Sequence, residues 1–443
     1  MSTTWRNILL LSSAAIILIV TVLCRMLFLP SAFAFADGHP VDLAHYRGAS
    51  PVGTPRELAS ADPVARGKYL TDAADCAACH TAKGGAPFAG GRPFKLPFGT
   101  LYTSNITPDR ETGIGNWTDA EFLRAVHKGI SRDGSRLYPA FPYASYALLT
   151  NDDVLAIRRY LATVPAVKHA DRPNTFSFPY NQRWLMTFWG MFFTPSEPFR
   201  PIAERDPIWN RGAYLVEAAA HCGECHTPRT LMQAMNTRQK FAGGAAEGWN
   251  AYNITSDPVS GVGGWSAQDL GNYLKFGRAV GHGVASGPMA EAVEMSLSKL
   301  SASDIAAMAV YLRTVPPVRS HRSPQVAPAA PGQALAGYAG NASGRRLFAG
   351  ACAGCHAWSG AGALVNEAQL TGNRAVNDGT AANVALMILN GNGKPSDGRQ
   401  YMPNFRETYS DAEIAELANF VTARFGSKPS SVSAKDVSKM RDE

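Results

Sequence analysis

The pattern C-x-x-C-H occurs three times in this chain, as Cys76-Ala77-Ala78-Cys79-His80, Cys222-Gly223-Glu224-Cys225-His226 and Cys352-Ala353-Gly354-Cys355-His356. Two thiols at this spacing, near the end of a helix, add across the two vinyl groups of one haem, and the adjacent imidazole then reaches the iron. Competing chemistries fit less well. A thioredoxin-like C-x-x-C follows a strand and does not carry a trailing His three times over. Structural zinc needs paired C-x-x-C units close together, whereas here they are far apart. A disulfide inside C-x-x-C is strained. Three covalently attached haems c are therefore expected, with Cys76, Cys79, Cys222, Cys225, Cys352 and Cys355 as attachment points and His80, His226 and His356 as iron ligands. The seventh cysteine, Cys24, lies in an apolar leader and reads as a small apolar residue.

Around the first two motifs the chain repeats itself. Arg66-Gly67-x-Tyr69-Leu70, Asn105-Ile106-Thr107-x-Asp109 and Gly115-Asn116-Trp117 recur in order as Arg211-Gly212-x-Tyr214-Leu215, Asn253-Ile254-Thr255-x-Asp257 and Gly263-Gly264-Trp265. A shorter third copy opens at Gly344-Arg345-Arg346-Leu347-Phe348. A duplicated unit sets the domain count, here three: residues 57–167, 205–318 and 341–428. An aromatic linker (168–204), a Pro/Ala connector (319–340) and a polar tail read as frayed (429–443) complete the division. Within each copy a helix leads into the Cys pair, a Gly/Pro-rich loop follows, and two further helices close the unit. Asp119 to Gly129 and Asp152 to Ala162 are examples, the latter with Val154, Ile157, Tyr160 and Leu161 on one face. Ser303 to Leu312 and Asp411 to Phe420 are the equivalents of the second. Strand alternation is nearly absent, so the expected fold is mainly α, three tandem cytochrome c-like helical domains.

Residues 1–36 hold Arg6, an apolar stretch from Ile8 to Leu29 and small residues at Ala32, Ala34 and Ala36, with no Asp or Glu. These are the parts of a signal peptide cut after Ala34 or Ala36, or of a retained N-terminal anchor; either way the rest is exported. The net charge of +7, two units of it in that leader, is too mild and too spread to indicate a nucleic-acid partner.

Haem iron in an electron carrier commonly takes a Met as sixth ligand, because the soft thioether raises the potential. Met402, in Tyr401-Met402-Pro403, and Met289, in Gly287-Pro288-Met289, stand in the expected places, while Met387, Met295 and Met308 read as core. The first copy has Phe141 at that point, in Leu137-Tyr138-Pro139-Ala140-Phe141-Pro142-Tyr143. Its sixth ligand is then Met186 or Met191 of the linker, His127, or none; for His127 the ordinary surface reading is preferred. The remaining histidines form no cluster with carboxylates. No nucleophile elbow, metalloprotease motif or phosphate loop occurs, and nothing indicates a flavin, PQQ or substrate site. No catalytic residue is assigned.

Taken in order over about residues 57–428, these motifs resemble the triheme cytochrome c subunit of membrane-bound bacterial alcohol, gluconate, sorbitol, fructose and aldehyde dehydrogenases. The resemblance implies an electron-transfer subunit on the periplasmic side of the cytoplasmic membrane, not an enzyme by itself. It implies a partner catalytic dehydrogenase subunit (flavin, PQQ or molybdenum) and ubiquinone or a terminal oxidase as acceptor. It carries the ligand roles onto His80, His226, His356, Met289 and Met402, and leaves the Phe141 position without its Met. Two other readings stand beside it: a soluble multihaem shuttle, and a haem enzyme using an open iron at the first haem. The linker run Trp184 to Phe193 is expected to pack between the first two copies; the alternative is an exposed membrane-interface surface where quinone docks.

Overall fold

A computed structural model describes residues 5–7, 11–17, 19–20, 35–320, 341–363, 366–393 and 402–442. Most of the 1–36 leader, nearly all of the 319–340 connector, and Tyr401 lie outside the described residues. Among the described residues no helix is long and apolar enough to cross a membrane.

Each copy is built from a lead helix, a short helical turn bearing the Cys pair, a middle helix and a closing helix. The lead helices Pro63–Ala73 and Pro207–Tyr214 start alike: Asp62 and Asp206 accept main-chain N–H bonds, and a proline fills the first helical position, where no donor is needed. Asn341 caps the third, Ala342–Ala351. The middle helix Asp119–Lys128 opens with a Thr118/Glu121 capping box and stops at left-handed Gly129. Ala267–Phe276 and Ala382–Asn390 are its counterparts. The closing helices Asn151–Leu161, Ala302–Leu312 and Asp411–Phe425 are capped by Thr150, Ser301 and Ser410.

In every copy the lead helix crosses the closing helix at a glycine. A Cβ on Gly67 would lie 2.0 Å from the Ala156 carbonyl oxygen, and one on Gly212 would lie 2.0 Å from that of Ala307. On Gly344 it would meet Glu416 O at 2.5 Å. The glycine of R-G-x-Y-L is thus a backbone-contact residue at a helix crossing.

The Gly/Pro-rich loops contain what alternation did not reveal: antiparallel hairpins pairing Pro93–Leu96 with Gly99–Tyr102 and Gly244–Ala246 with Trp249–Ala251. They are too short for a period of two to show in the sequence. A third small hairpin joins Arg278–Ala279 to Gly283–Val284.

Copies one and two share one continuous core, from Leu70, Val154 and Leu161 to Tyr214, Leu270 and Met308. A second core, around Phe348, Leu389, Ile414 and Leu417 of the third copy, also takes in Trp249 of copy two. The polar tail, read as frayed, closes in a helix, Ala434–Asp442, that buries Val437 and anchors Arg441 to Asp411 at 2.7 Å. In the aromatic linker, the helix Leu185–Phe193 turns Trp189 inward against Tyr143 of copy one, ring centroids 5.6 Å apart, and Ala234 of copy two. Trp184, Phe188 and Met191 stay exposed, so packing between copies accounts for only one side of this helix.

Candidate functional site

The residue before the first cysteine is left-handed in two copies: Asp75 has φ 51° and His221 φ 37°. This breaks the lead helix and starts a separate turn, Cys76–His80 in copy one and Gly223–His226 in copy two. In the third copy Ala353–His356 follows its lead helix directly. Each turn presents both sulfurs and one imidazole from a single short segment, the arrangement needed to grip one porphyrin. The six cysteines are unpaired thiols. Burial pushes the thiol pKa up to about 12 at Cys79 and Cys222 and to about 11 at Cys225 and Cys352. A redox-active C-x-x-C needs the opposite, a stabilised thiolate. Among the described residues no group of three His, Cys, Asp or Glu could hold a bare metal ion.

The three imidazoles are held alike. His80 Nδ1 donates to Ser104 O at 2.7 Å, His226 Nδ1 to Tyr252 O at 2.6 Å and His356 Nδ1 to Ala368 O at 2.6 Å. A carbonyl only accepts, so Nδ1 carries the proton and the Nε2 lone pair is left for iron. Burial lowers all three imidazole pKa values, which favours the neutral form that a metal ligand requires. The donor set therefore fits a haem at each turn: two thiols and one oriented neutral imidazole.

The carbonyls that orient His80 and His226 explain the N-I-T-x-D motif. Ser104 and Tyr252 immediately precede Asn105 and Asn253. Asn105 Oδ1 accepts from Thr107 N at 2.9 Å, and its Nδ2 donates to Val167 O at 2.7 Å. Asn253 does the same with Thr255 N at 2.8 Å and Val318 O at 2.7 Å. Asp257 then caps the next turn, accepting from Ser260 N at 2.6 Å and Ser260 Oγ at 2.9 Å and pairing with Arg319 Nε at 2.9 Å. The repeat marked these residues, but their task of fixing the carbonyl behind the imidazole becomes visible only in the fold.

In the segments expected to supply a sixth ligand, the register is set by matching hydrogen bonds. Leu137 N donates to Gly129 O, and Ala285 N to Gly277 O. Four residues further on stand Phe141 and Met289, so the two positions are equivalent. Met289 is half-buried near the start of the helix Pro288–Met295, against the shared core. Met402 is held by a two-bond bridge to Asn392, 2.9 and 3.0 Å, and packs on the third core. Phe141 packs edge-on to Tyr146 at 5.5 Å. Of the substitutes considered for copy one, Met186 packs on the same cluster as Phe141, and Met191 is exposed. His127 is half-buried on the helix Asp119–Lys128 rather than an ordinary surface residue: its Nε2 is buried without a hydrogen-bond partner among the described residues, and burial lowers its imidazole pKa.

The sequence model of the family described as "Cytochrome c" matches residues 64–165, and that of "Cytochrome C oxidase, cbb3-type, subunit III" matches residues 339–421. The gluconate 2-dehydrogenase cytochrome c subunit of Pantoea cypripedii is 36% identical over 398 residues, covering 86% of this chain and 90% of the relative. The chain belongs to the cytochrome c subunits of dehydrogenases. The fructose dehydrogenase cytochrome subunit of Gluconobacter japonicus is 37% identical over 411 residues, 85% of this chain and 82% of that one. A nicotinate dehydrogenase component of Pseudomonas putida is 40% identical over 83% of this chain, which spans only 30% of that longer protein.

In this cytochrome c subunit the first two copies are also interlocked by residues that motif reading missed. Tyr69 of copy one donates its hydroxyl to Asp304 of copy two at 2.5 Å, and Tyr214 of copy two donates to Asp153 of copy one at 2.5 Å. The two tyrosines are the same position of R-G-x-Y-L, and the two aspartates the same position of the closing helices. The exchange is reciprocal, as across a two-fold axis. Copy three docks on copy two through buried Arg374, which donates to Asn253 O at 2.9 Å and to Gly261 O, and through Asn250 Nδ2 to Asp378 at 2.8 Å.

Proposed function

We propose that this chain carries three haems c and relays single electrons from a catalytic dehydrogenase subunit to ubiquinone or the respiratory chain, at the periplasmic face of the cytoplasmic membrane. The observation that carries the reading is the threefold recurrence of a turn whose imidazole spends Nδ1 on a main-chain carbonyl and keeps Nε2 free. Bound haem supplies a one-electron couple whose potential follows its axial ligands, burial and hydrogen bonding. The protein supplies the thiols of Cys76, Cys79, Cys222, Cys225, Cys352 and Cys355, the imidazoles of His80, His226 and His356, and the thioethers of Met289 and Met402. The relatives' names support a dehydrogenase partner.

Export is supported by the composition of residues 1–36, and membrane contact by an apolar surface. Trp184, Phe188 and Met191 lie outward on one helix, and Leu231, 97% exposed, and Met232 lie beside it, joined by the bond from Trp189 Nε1 to Met232 O at 2.9 Å. Arg183 and Arg238 lie in these two segments, and Arg229 is paired with Glu224 at 2.8 Å; neither segment, 174–196 or 227–240, itself contains an Asp or Glu. Aromatic side chains rimmed by arginine suit an anionic bilayer surface.

The intact mass of the natively matured protein, with a pyridine haemochrome assay, tests the haem content: three thioether-linked haems are expected, and fewer would overturn the reading. Vesicle flotation tests the surface, with Trp184, Phe188 and Leu231 replaced by Ser in the full chain. Binding to vesicles with anionic lipid should be lost while the melting temperature holds. Phe141 supports one other possibility, an open iron at the first haem. Stoichiometric carbon monoxide binding by one reduced haem, with peroxide turnover, would favour an enzyme over a relay.

A further inference from the structure

Arg92 lies in the loop after the first C-x-x-C-H turn, and its side chain is only 16% exposed. Its Nη1 donates to Ala78 O, inside the Cys76–His80 turn, and to Glu291 Oε1 of copy two, both at 2.6 Å. Its Nη2 donates to Glu247 at 3.1 Å, and its guanidinium sits 4.9 Å over the Phe94 ring. Glu291 is two residues beyond Met289 on the helix Pro288–Met295. Glu247 is at the tip of the hairpin that carries Trp249. These two segments meet where a Cβ on Gly287 would fall 2.3 Å from the Trp249 indole.

The repeat separates two tasks of this arginine. Gly90 N donates to His80 O, and Gly243 N donates to His226 O, so the loops are in register. Two residues further on stand Arg92 in copy one and Ala245 in copy two. Copy two ties the equivalent turn carbonyl, Glu224 O, with Arg229, which pairs with the Glu224 carboxylate of its own copy at 2.8 Å. A guanidinium on the turn is therefore common to both copies, and what is particular to Arg92 is its pairing with Glu247 and Glu291 across the junction.

We propose that Arg92 is a positioning residue for two haems at once, tying the attachment turn of the first to the helix that presents Met289 to the second. This rests on the reading of Met289 as an iron ligand. Neutralising Arg92 leaves Glu247 and Glu291 facing each other with the cation gone, and their repulsion moves the Met289 helix outward. It also removes a cation beside the first haem, which favours the oxidised state there and lowers that potential.

The test uses the full-length, haem-loaded protein with Arg92→Gln and Arg92→Lys. The readouts are haem content, the ferric Met–iron charge-transfer band, and the potentials from a spectroelectrochemical titration. In Arg92→Gln with haem content unchanged, the band should lose the share of one of two methionines, and the potentials of two haems should fall while the third holds. Arg92→Lys, which keeps the charge as a point donor, should recover part of both. An unchanged band with unmoved potentials would overturn the proposal. Should Arg92→Gln not retain haem, Glu291→Lys sets a cation against Arg92 and breaks the same tie from the other side: loss of band with haem content unchanged supports the proposal, and an intact band overturns it. A wild-type protein with no ferric Met band would instead overturn the Met289 assignment itself, separately from the role of Arg92.

Discussion

The reciprocal tyrosine bonds make an unequal pair of predictions. Tyr69→Phe removes one donor from Asp304, which keeps the Arg211 fork, Nε at 2.8 Å and Nη2 at 2.6 Å. Tyr214→Phe removes the hydroxyl from Asp153, whose oxygens otherwise receive the Gly53 amide at 2.9 Å. Both carboxylates are buried, at 1% and 2% exposure for Asp304 and Asp153. A hydrogen bond to a charged group contributes about 1.5–3 kcal/mol, and a buried carboxylate left short of donors lies at the upper end. Tyr69→Phe should therefore cost about 1 kcal/mol and Tyr214→Phe about 2–3 kcal/mol. Urea unfolding of the haem-loaded protein, followed by circular dichroism, measures both as shifts in the midpoint at constant slope. Equal costs would refute the argument that the Arg211 fork protects Asp304. Two neutral substitutions would refute the interlock as a source of stability.

Gly212→Ala drives a methyl group into the Ala307 carbonyl; against a helix-propensity gain of about 1 kcal/mol it should still destabilise by about 1–3 kcal/mol, read as a lower melting temperature. Asn253→Ala unties the loop behind Tyr252 O, so His226 should lose its fixed orientation; a lower haem retention after mild acid or heat, relative to wild type, checks this. At Asp257, burial raises the carboxyl pKa, but the Ser260 amide, the Arg319 guanidinium and the Ser260 hydroxyl outweigh it and hold the pKa below its ordinary value. A depressed carboxyl contributes its stability above the unfolded value of about 4 and loses it as pH falls through the folded value. Asp257→Asn should flatten the acid limb of the stability profile below about pH 4, and an unchanged limb would contradict this.

Much of this protein was legible along the chain because the signals are local. Thiol, thiol and imidazole within five residues specify attachment chemistry wherever the segment folds. Asp-Pro, Thr-x-x-Glu and Ser-x-x-Glu announce helix starts through bonds that reach only three residues. The closing helices begin within a residue of the positions expected from apolar recurrence, each opened by a Thr150, Ser301 or Ser410 cap, although Asp411–Phe425 runs further than its periodicity indicated because Val421 and Phe425 are packed in the third core. Duplication exposed R-G-x-Y-L and N-I-T-x-D as units, but not their tasks.

Those tasks belong to the way the chain packs. Tyr69 and Asp304 are 235 residues apart, and Arg92 and Glu291 are 199 apart. Nothing in the spacing of such residues selects one partner over another; the choice follows from how the copies press their apolar faces together. The same burial turned Trp189 inward and left Trp184 outside on one short helix, a division invisible in a run that is apolar all round. Residue order was enough for the chemistry of attachment, since covalent and capping interactions act over a few residues. The placement of one copy against another emerged only in three dimensions, because hydrophobic burial is non-directional and specificity arises where distant polar groups must then find partners.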